Sequence, residues 1–171
     1  PDGIMTIVLP HGVLFRGGEE GGIRKNLIEN NHIDTIIGLP ANIFFGTGIP
    51  TIVMVLKQKC EDTDILIVDA SKGFIKEGKN NKLRASDIKK IADVVTGRKE
   101  SFKFSRVVSR EEIRKNDYNL NIPRYVDSAE EEQEIDIDQV YANLQKDDQE
   151  IAKANEELNK AFEELGLKVR L

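Results

Sequence analysis

The chain has 171 residues, a formal net charge of −5, 39% hydrophobic residues and 32% charged residues. That length holds one core of ordinary size with room for an appendage, and the composition is that of a soluble protein with a long polar surface element. No apolar run reaches the roughly 18 residues of a membrane span, so no membrane association is expected.

A secretory signal is not recognisable, and the single Cys60 excludes an internal disulfide, which suits a reducing cytoplasm. Two His and one Cys at no ligand spacing argue against a metal site. The chain opens abruptly at Pro1-Asp2-Gly3, as an excised fragment would. Charge is unevenly spread. Residues 1–126 carry 20 Lys/Arg against 16 Asp/Glu, whereas residues 127–171 carry 5 against 14. Within the first part, residues 72–115 carry 14 against 6, a basic belt that reads either as a phosphate-binding surface or as a solvated face.

In chain order, Ile4 to Leu9 reads as a compact buried strand ending at Pro10. Residues 11–22 hold five glycines but neither a Gly-Lys-Ser/Thr phosphate loop nor a G-x-G-x-x-G spacing, so they read as a mobile connector or a flexible loop at the ligand edge. Ile23, Leu27 and Ile28 share a helical face over 23–30, with Asn30-Asn31 as the stop. His32 leads into the apolar run 33–39, which makes 4–39 a right-handed, parallel strand–helix–strand unit.

A connector rich in Pro, Gly and Asn follows, holding Phe44 and Phe45 side by side, and a second apolar strand at 51–57 returns antiparallel. Residues 64–70 form a further strand, and 71–82 a loop or weak hairpin. Ser86 is placed to cap a helix over 87–96 that buries Ile88, Ile91, Ala92 and Val95, with Gly97 ending it. Ser109-Arg110-Glu111-Glu112 is a capping box for a short helix ending near Asn116. The Asn-dense segment 116–126 cannot be a regular element.

Residues 127–135 are acidic and read as a linker. Beyond it, Ile137, Leu144, Ile151, Leu158 and Leu165 recur every seven residues, with Val140, Asp147, Ala154 and Ala161 between them. One continuous helix over 136–165 is expected, capped by Gly166 with Leu167 against it. A helix with one apolar seam needs cover, from its own domain or from another chain.

Three stretches resemble one family. They are PHGVLFRGGEEGGIR, LPANIFFGTGIPT with its following strand, and NDYNLNIPRYV. All resemble the modification subunit of type I restriction-modification systems, which are adenine-N6 DNA methyltransferases. The match covers nearly the whole chain but only the C-terminal part of that subunit.

The resemblance implies an α/β fold: the C-terminal part of a Rossmann-like class I methyltransferase sheet, parallel with an antiparallel final strand, followed by a long C-terminal helix. It implies residues 1–126 as the C-terminal half of the catalytic domain, 127–135 as linker and 136–171 as a helix for subunit assembly. It implies S-adenosylmethionine as the cofactor of the full-length protein, and DNA, a specificity subunit and a restriction subunit as partners. The family's Asn/Asp-Pro-Pro-aromatic motif is missing, because the five prolines are never adjacent, and so is the cofactor loop. No catalytic residue is therefore expected here, and the fragment alone should be inactive.

One role carries over: Phe44 matches the aromatic that packs on the flipped adenine, with Phe45 facing the core. Arg16, Asn42 and Thr47 are candidates for the DNA edge. The competing reading is a non-catalytic α/β interaction module with a coiled-coil arm, in which the seam Ile137/Leu144/Ile151/Leu158/Leu165 pairs with another protein or dimerises the fragment.

Overall fold

The computed structural model describes residues 2–128 and 137–165. The first of these stretches carries a five-stranded sheet, and the second is a separate helical unit. Strand β1 (Ile4–Pro10) is followed by a 3-10 turn and helix α1 (Gly18–Glu29). Strands β2 (Ile33–Gly38), β3 (Thr51–Lys57) and β4 (Ile65–Asp69) come next. A small hairpin of β5 (Ile75–Glu77) and β6 (Asn80–Lys82) precedes helix α2 (Ala85–Gly97), strand β7 (Ser105–Val108) and helix α3 (Arg110–Lys115). A 3-10 turn at Ile122–Arg124 closes the unit, and α4 (Ile137–Glu164) forms the second one.

The sheet order is β1-β3-β2-β4-β7. β3 is antiparallel to both neighbours, β2 and β4 are parallel, and β7 is antiparallel to β4. β1, β2 and β4 therefore point the same way. The strand–helix–strand unit has the expected common direction, but β3 is inserted between its two strands. β7, in a stretch with no strong sequence signal, adds a second antiparallel strand at the far edge.

Period-2 alternation sends the side chains of each central strand to two cores. Ile65 and Ile67 of β4 join Ile36, Ile52, Met54, Ile113, Leu120 and Ile122 on one face. Leu66 and Val68 join Ile37, Leu39 and Val94 on the other. β2 and β4 are buried throughout, as continuous apolar runs predict.

β1 departs from that expectation. Ile4, Met5 and Val8 are 67%, 53% and 49% exposed. β1 pairs only through β3, so among the described residues its other edge and part of its surface face solvent.

Helix α1 starts five residues before the expected Ile23, so the glycines at 18, 21 and 22 are helical rather than a connector. Glu19 and Glu20 in the first turn oppose the partial positive charge of the helix N-terminus. Inside α1, buried Arg24 donates from Nε to the Tyr118 carbonyl (2.7 Å) and from Nη1 to those of Val13 (2.8 Å) and Arg16 (3.0 Å). One guanidinium thus ties the post-β1 loop to the Asn-rich closing segment, beside the Leu120 N–H donated to the Leu14 carbonyl.

The cap of α2 is Arg84, not Ser86. The Asp87 carboxylate accepts the Arg84 backbone N–H (2.9 Å) and grips its guanidinium, which places Ser86 inside the first turn. Val94 is the buried residue of α2, with Ile91 and Val95 beside it, while Ile88 and Ala92 face solvent. The helix ends on Arg98, held in the left-handed region (φ 42°), and not on Gly97. Arg98 and Lys57 both bind buried Asp34, at 3.0 and 2.8 Å. Burial pushes the Asp34 carboxyl up, but Lys57 and Thr35 hydrogen bonds and the charges of Lys57 and Arg98 leave it below its ordinary value.

Ser109 caps α3 as expected, accepting the Glu112 N–H (3.2 Å). The Glu112 carboxylate does not return to the cap; it takes both guanidinium nitrogens of Arg106 at 2.9 Å.

α4 is a single helix over Ile137–Glu164, as the heptads imply, and Leu165 extends its last turn. Residues 129–135 of the linker expected over 127–135, and the Gly166/Leu167 cap, lie outside the described residues.

Glu29 at the end of α1 accepts from Arg114 through both oxygens and from the Tyr118 hydroxyl. Those hydrogen bonds, Arg114 first, hold its carboxyl at about 2 instead of 4.5. A depressed folded-state value stabilises the fold above the unfolded value and ceases to do so as the pH falls through the folded one. Glu29→Gln should therefore lower the melting temperature at neutral pH, and the deficit should shrink between about pH 4.5 and pH 2. Thermal melts followed by circular dichroism across that range measure it. A deficit that stays constant with pH would remove the charge from the explanation.

Candidate functional site

The C-terminal ends of β1, β2 and β4 meet at one edge. The His11 N–H donates to the Pro50 carbonyl (3.1 Å), Leu39 to Thr51 (2.9 Å) and Ala70 to Gly38 (2.9 Å). Gly38 has no room for a side chain, since a Cβ there would lie 2.6 Å from Cδ1 of Ile122. The closing segment thus seats directly on the end of β2.

Loop 39–50 crosses this edge between the antiparallel neighbours β2 and β3. Leu39 and Pro40 anchor it in the core. Asn42 (φ 54°) and Gly46 (φ 78°) supply left-handed turns, which Asn tolerates and Gly adopts freely. The Thr47 hydroxyl accepts the Ile49 N–H (3.2 Å), a local turn of the kind Thr favours. The β5–β6 hairpin props the loop from beside it. Asn81 donates its backbone N–H to the Asn42 carbonyl (2.8 Å) and its side-chain amide to the Ala41 carbonyl (2.7 Å).

Among the candidates, Asn42 and Thr47 lie together in this loop, and the side-chain oxygen of Asn42 packs beside Gly48. Arg16 sits on the neighbouring loop. Its guanidinium folds over Gly12 and pairs with Glu20 at 3.7 Å, turned toward α1. Phe44 is 42% exposed and Phe45 96% exposed. The division of labour expected for the two rings fails for Phe45: it plugs nothing, because the loop rises off the sheet after Pro40 and only Phe44 is partly sheltered.

Sequence reasoning missed two supports of this edge. Asn81, in an unremarkable polar run, holds the loop. Asp69, closing an apolar strand, is buried and accepts from the Ser71 N–H (2.9 Å) and the Ser128 hydroxyl. His11 packs edge-on against Phe15 at 5.5 Å. Burial pushes its imidazole below the ordinary range, and the Asp69 charge opposes that only in part. The Thr51 hydroxyl at the base of the loop is buried without a hydrogen-bond partner. No group of three His, Cys, Asp or Glu among the described residues could hold a metal ion, and none of their helices is long and apolar enough to cross a membrane.

Residues 1–134 match the family model of the N-6 DNA methylases. The chain belongs to that family. Its relatives include the type I restriction enzyme MpnII methylase subunit of Mycoplasma pneumoniae, 40% identical over 80% of the chain and 25% of the relative. The MjaVII methylase subunit of Methanocaldococcus jannaschii is 46% identical over 77% of the chain and 24% of the relative. Among solved structures, the type I restriction-modification methyltransferase subunit of Streptococcus thermophilus is 54% identical, with a TM-score of 0.72, over 74% of this chain and 27% of that one. The chain thus spans about a quarter of the length of these relatives. Its fold is that of the type I methyltransferase subunits, an α/β sheet accompanied by a C-terminal helix.

Because the Phe45 ring stands almost wholly in solvent, Phe45→Ala in this methylase chain should change stability by no more than about 0.5 kcal/mol, the range of ordinary surface substitutions. Chemical denaturation of the chain measures it. A loss of about 2 kcal/mol or more would mean that Phe45 packs on the sheet after all.

Proposed function

We propose that this chain is the C-terminal part of the modification subunit of a type I restriction-modification system. The whole protein then transfers a methyl group from S-adenosylmethionine to adenine N6 in DNA, alongside a specificity subunit and a restriction subunit. The observation that carries this reading is the 54% identity to a type I methyltransferase subunit over most of the chain.

The loop edge supports a substrate role rather than a catalytic one. An adenine must leave the duplex before its amino group can react. Phe44, half sheltered on a loop fixed by Asn81, offers a face for that base. Asn42 and Thr47 in the same loop face the DNA, and Arg16 on the neighbouring one reaches it on leaving Glu20. Domain roles follow: 1–126 completes the catalytic domain, and 136–171 serves assembly.

The sequence carries neither the family's Asn/Asp-Pro-Pro-aromatic motif nor its cofactor loop, so we read the S-adenosylmethionine site as supplied by the rest of the whole protein and the chain by itself as inactive.

The assembly reading rests on α4. Ile137, Leu144, Ile151, Leu158 and Leu165 are between 42% and 77% exposed. Asp147 sits at an interleaved position, where a polar residue sets register at a cost in stability. We assign this seam to helices of the specificity subunit, with pairing between two copies of the chain as the competing arrangement.

One methyl-transfer assay tests the enzymatic reading, with labelled cofactor and three proteins. Full-length subunit in its complex should label DNA, and residues 1–171 alone should not. Full-length Phe44→Ala should lose about 1–3 kcal/mol of transition-state stabilisation, the size of one base–aromatic contact. Labelling by residues 1–171 alone, or full activity of Phe44→Ala, would sink the respective assignment.

Co-purification tests the arm. Leu158→Asp should leave the sheet unit folded and abolish assembly with the specificity subunit. Assembly at wild-type affinity would show that the seam serves something else.

A further inference from the structure

Beside the loop edge lies a cleft of about 350 Å³ between the end of β4, the start of α2 and the turn before β7. Lys72, Arg84, Lys90 and Lys103 line it, against Asp69 and Asp87. Both carboxylates are already engaged: Asp69 by Ser71 and Ser128, Asp87 by the Arg84 guanidinium. Four cations against two carboxylates leave the lining of the cleft net positive. Lys90 covers the Phe104 ring at 3.8 Å, and the Lys72 ammonium reaches the Ser128 carbonyl.

One wall is a built projection. Ser101 and Ser105 exchange backbone hydrogen bonds at 3.0 and 2.9 Å, and Phe104 N–H closes on the Ser101 carbonyl (3.0 Å). The Ser105 hydroxyl adds a bond to the Lys99 carbonyl (2.8 Å). At the tip, Lys103 is held in the left-handed region (φ 55°), unfavourable for a residue with a long side chain. Phe102 next to it is 87% exposed, with the Lys103 ammonium 5.6 Å from its ring centre. Phe102 also lines the adjoining cleft with Glu100, Arg106 and Asp127. A large ring held in water by a strained, cross-bonded turn at the rim of a net-positive cleft buries nothing in this unit.

We propose that this cleft and the Phe102–Lys103 tip bind the DNA backbone flanking the base presented to loop 39–50, with the cations on phosphates and the Phe102 ring on a neighbouring base or sugar. The inference rests on the DNA-methylating reading above and assigns the basic belt a contact within it. Two observations choose DNA over another occupant. The first is the charge: cations that position a nucleic acid contact its phosphates, and exposed aromatics between them stack on bases. The second is continuity with the base-presenting edge. Ala70 in the cleft bonds Gly38, and Asn81, just before α2, bonds the loop itself.

The test uses the full-length subunit in complex with its specificity subunit, and variants Phe102→Ala and Lys103→Gly. Glycine at 103 removes the charge and relieves the left-handed backbone, so folding is spared. Affinity for a random-sequence duplex is read by fluorescence anisotropy across a salt series. Lys103→Gly should make the slope of log K against log salt shallower by about one and weaken all sequences alike. Phe102→Ala should weaken binding about 5- to 150-fold with the slope retained, the range one stacked base is worth. Unaltered affinity and slope in both variants would overturn the proposal, as would normal DNA binding with lost subunit assembly, which would make the tip a protein-docking point. A wild-type complex that neither binds nor methylates DNA would instead overturn the functional reading beneath it.

Discussion

Everything at the loop edge depends on β3 running antiparallel between β1 and β2. Antiparallel neighbours need only a two-residue turn. Here β2 and β3 are joined by residues 39–50 instead, a connection far longer than the topology requires. Extra loop length costs ordering entropy that the sheet does not return. The chain meets that cost with specific holds: Leu39 in the core, Thr47 within the loop and Asn81 from the hairpin. Order in a loop that the fold does not need is the strongest structural argument that the loop serves a ligand.

The same insertion explains the electrostatics. β3 brings Lys57 to the far end of the sheet, where buried Asp34 also receives Arg98. Its charges close on one another, as buried ions must. At the loop edge the pattern differs. Asp69 is satisfied by neutral donors, the Arg84–Asp87 pair is internal, and Lys72, Lys90 and Lys103 line the cleft beside them. One end of the sheet is electrostatically self-contained, and the cleft at the other holds four cations against two carboxylates, the balance that the proposed contact with a polyanion draws on.

What could be read in the sequence follows from how local the signal was. β2, β3 and β4 announce themselves because strands inside a sheet favour β-branched and other apolar residues. Ser109 announces α3 because a cap is a one-turn feature. β1 misled for the same reason: Ile4-Met5-Thr6-Ile7-Val8-Leu9 has the composition of a central strand, but its exposure depends on which strands stand beside it. The start of α1 was hidden by glycines that favour loops locally and are carried into the helix by Arg24 and its three distant carbonyls. The irregular course of loop 39–50 was legible from its Pro, Gly and Asn residues, while the disposition of Phe44 and Phe45 was not, since alternation along an extended strand does not apply to a loop with left-handed residues at 42 and 46.

α4 poses the opposite problem, because its sequence specifies more than its own fold uses. Its 28 residues span about 42 Å at the standard rise. The pair Glu156–Lys160 at 2.8 Å adds surface support, worth only a few tenths of a kcal/mol. Such pairs do not require large apolar residues at every seventh position. Leu and Ile contribute to stability by leaving water, and the seam residues remain largely in it. A heptad pattern kept across the whole helix, with small Ala154 and Ala161 and polar Asp147 between the large positions, matches what a facing helix selects: close approach at some levels and a fixed register at another. On the reading proposed above, the loop edge receives a base and the helix stripe another helix, and the exposed apolar surface of each leaves water only in that larger assembly.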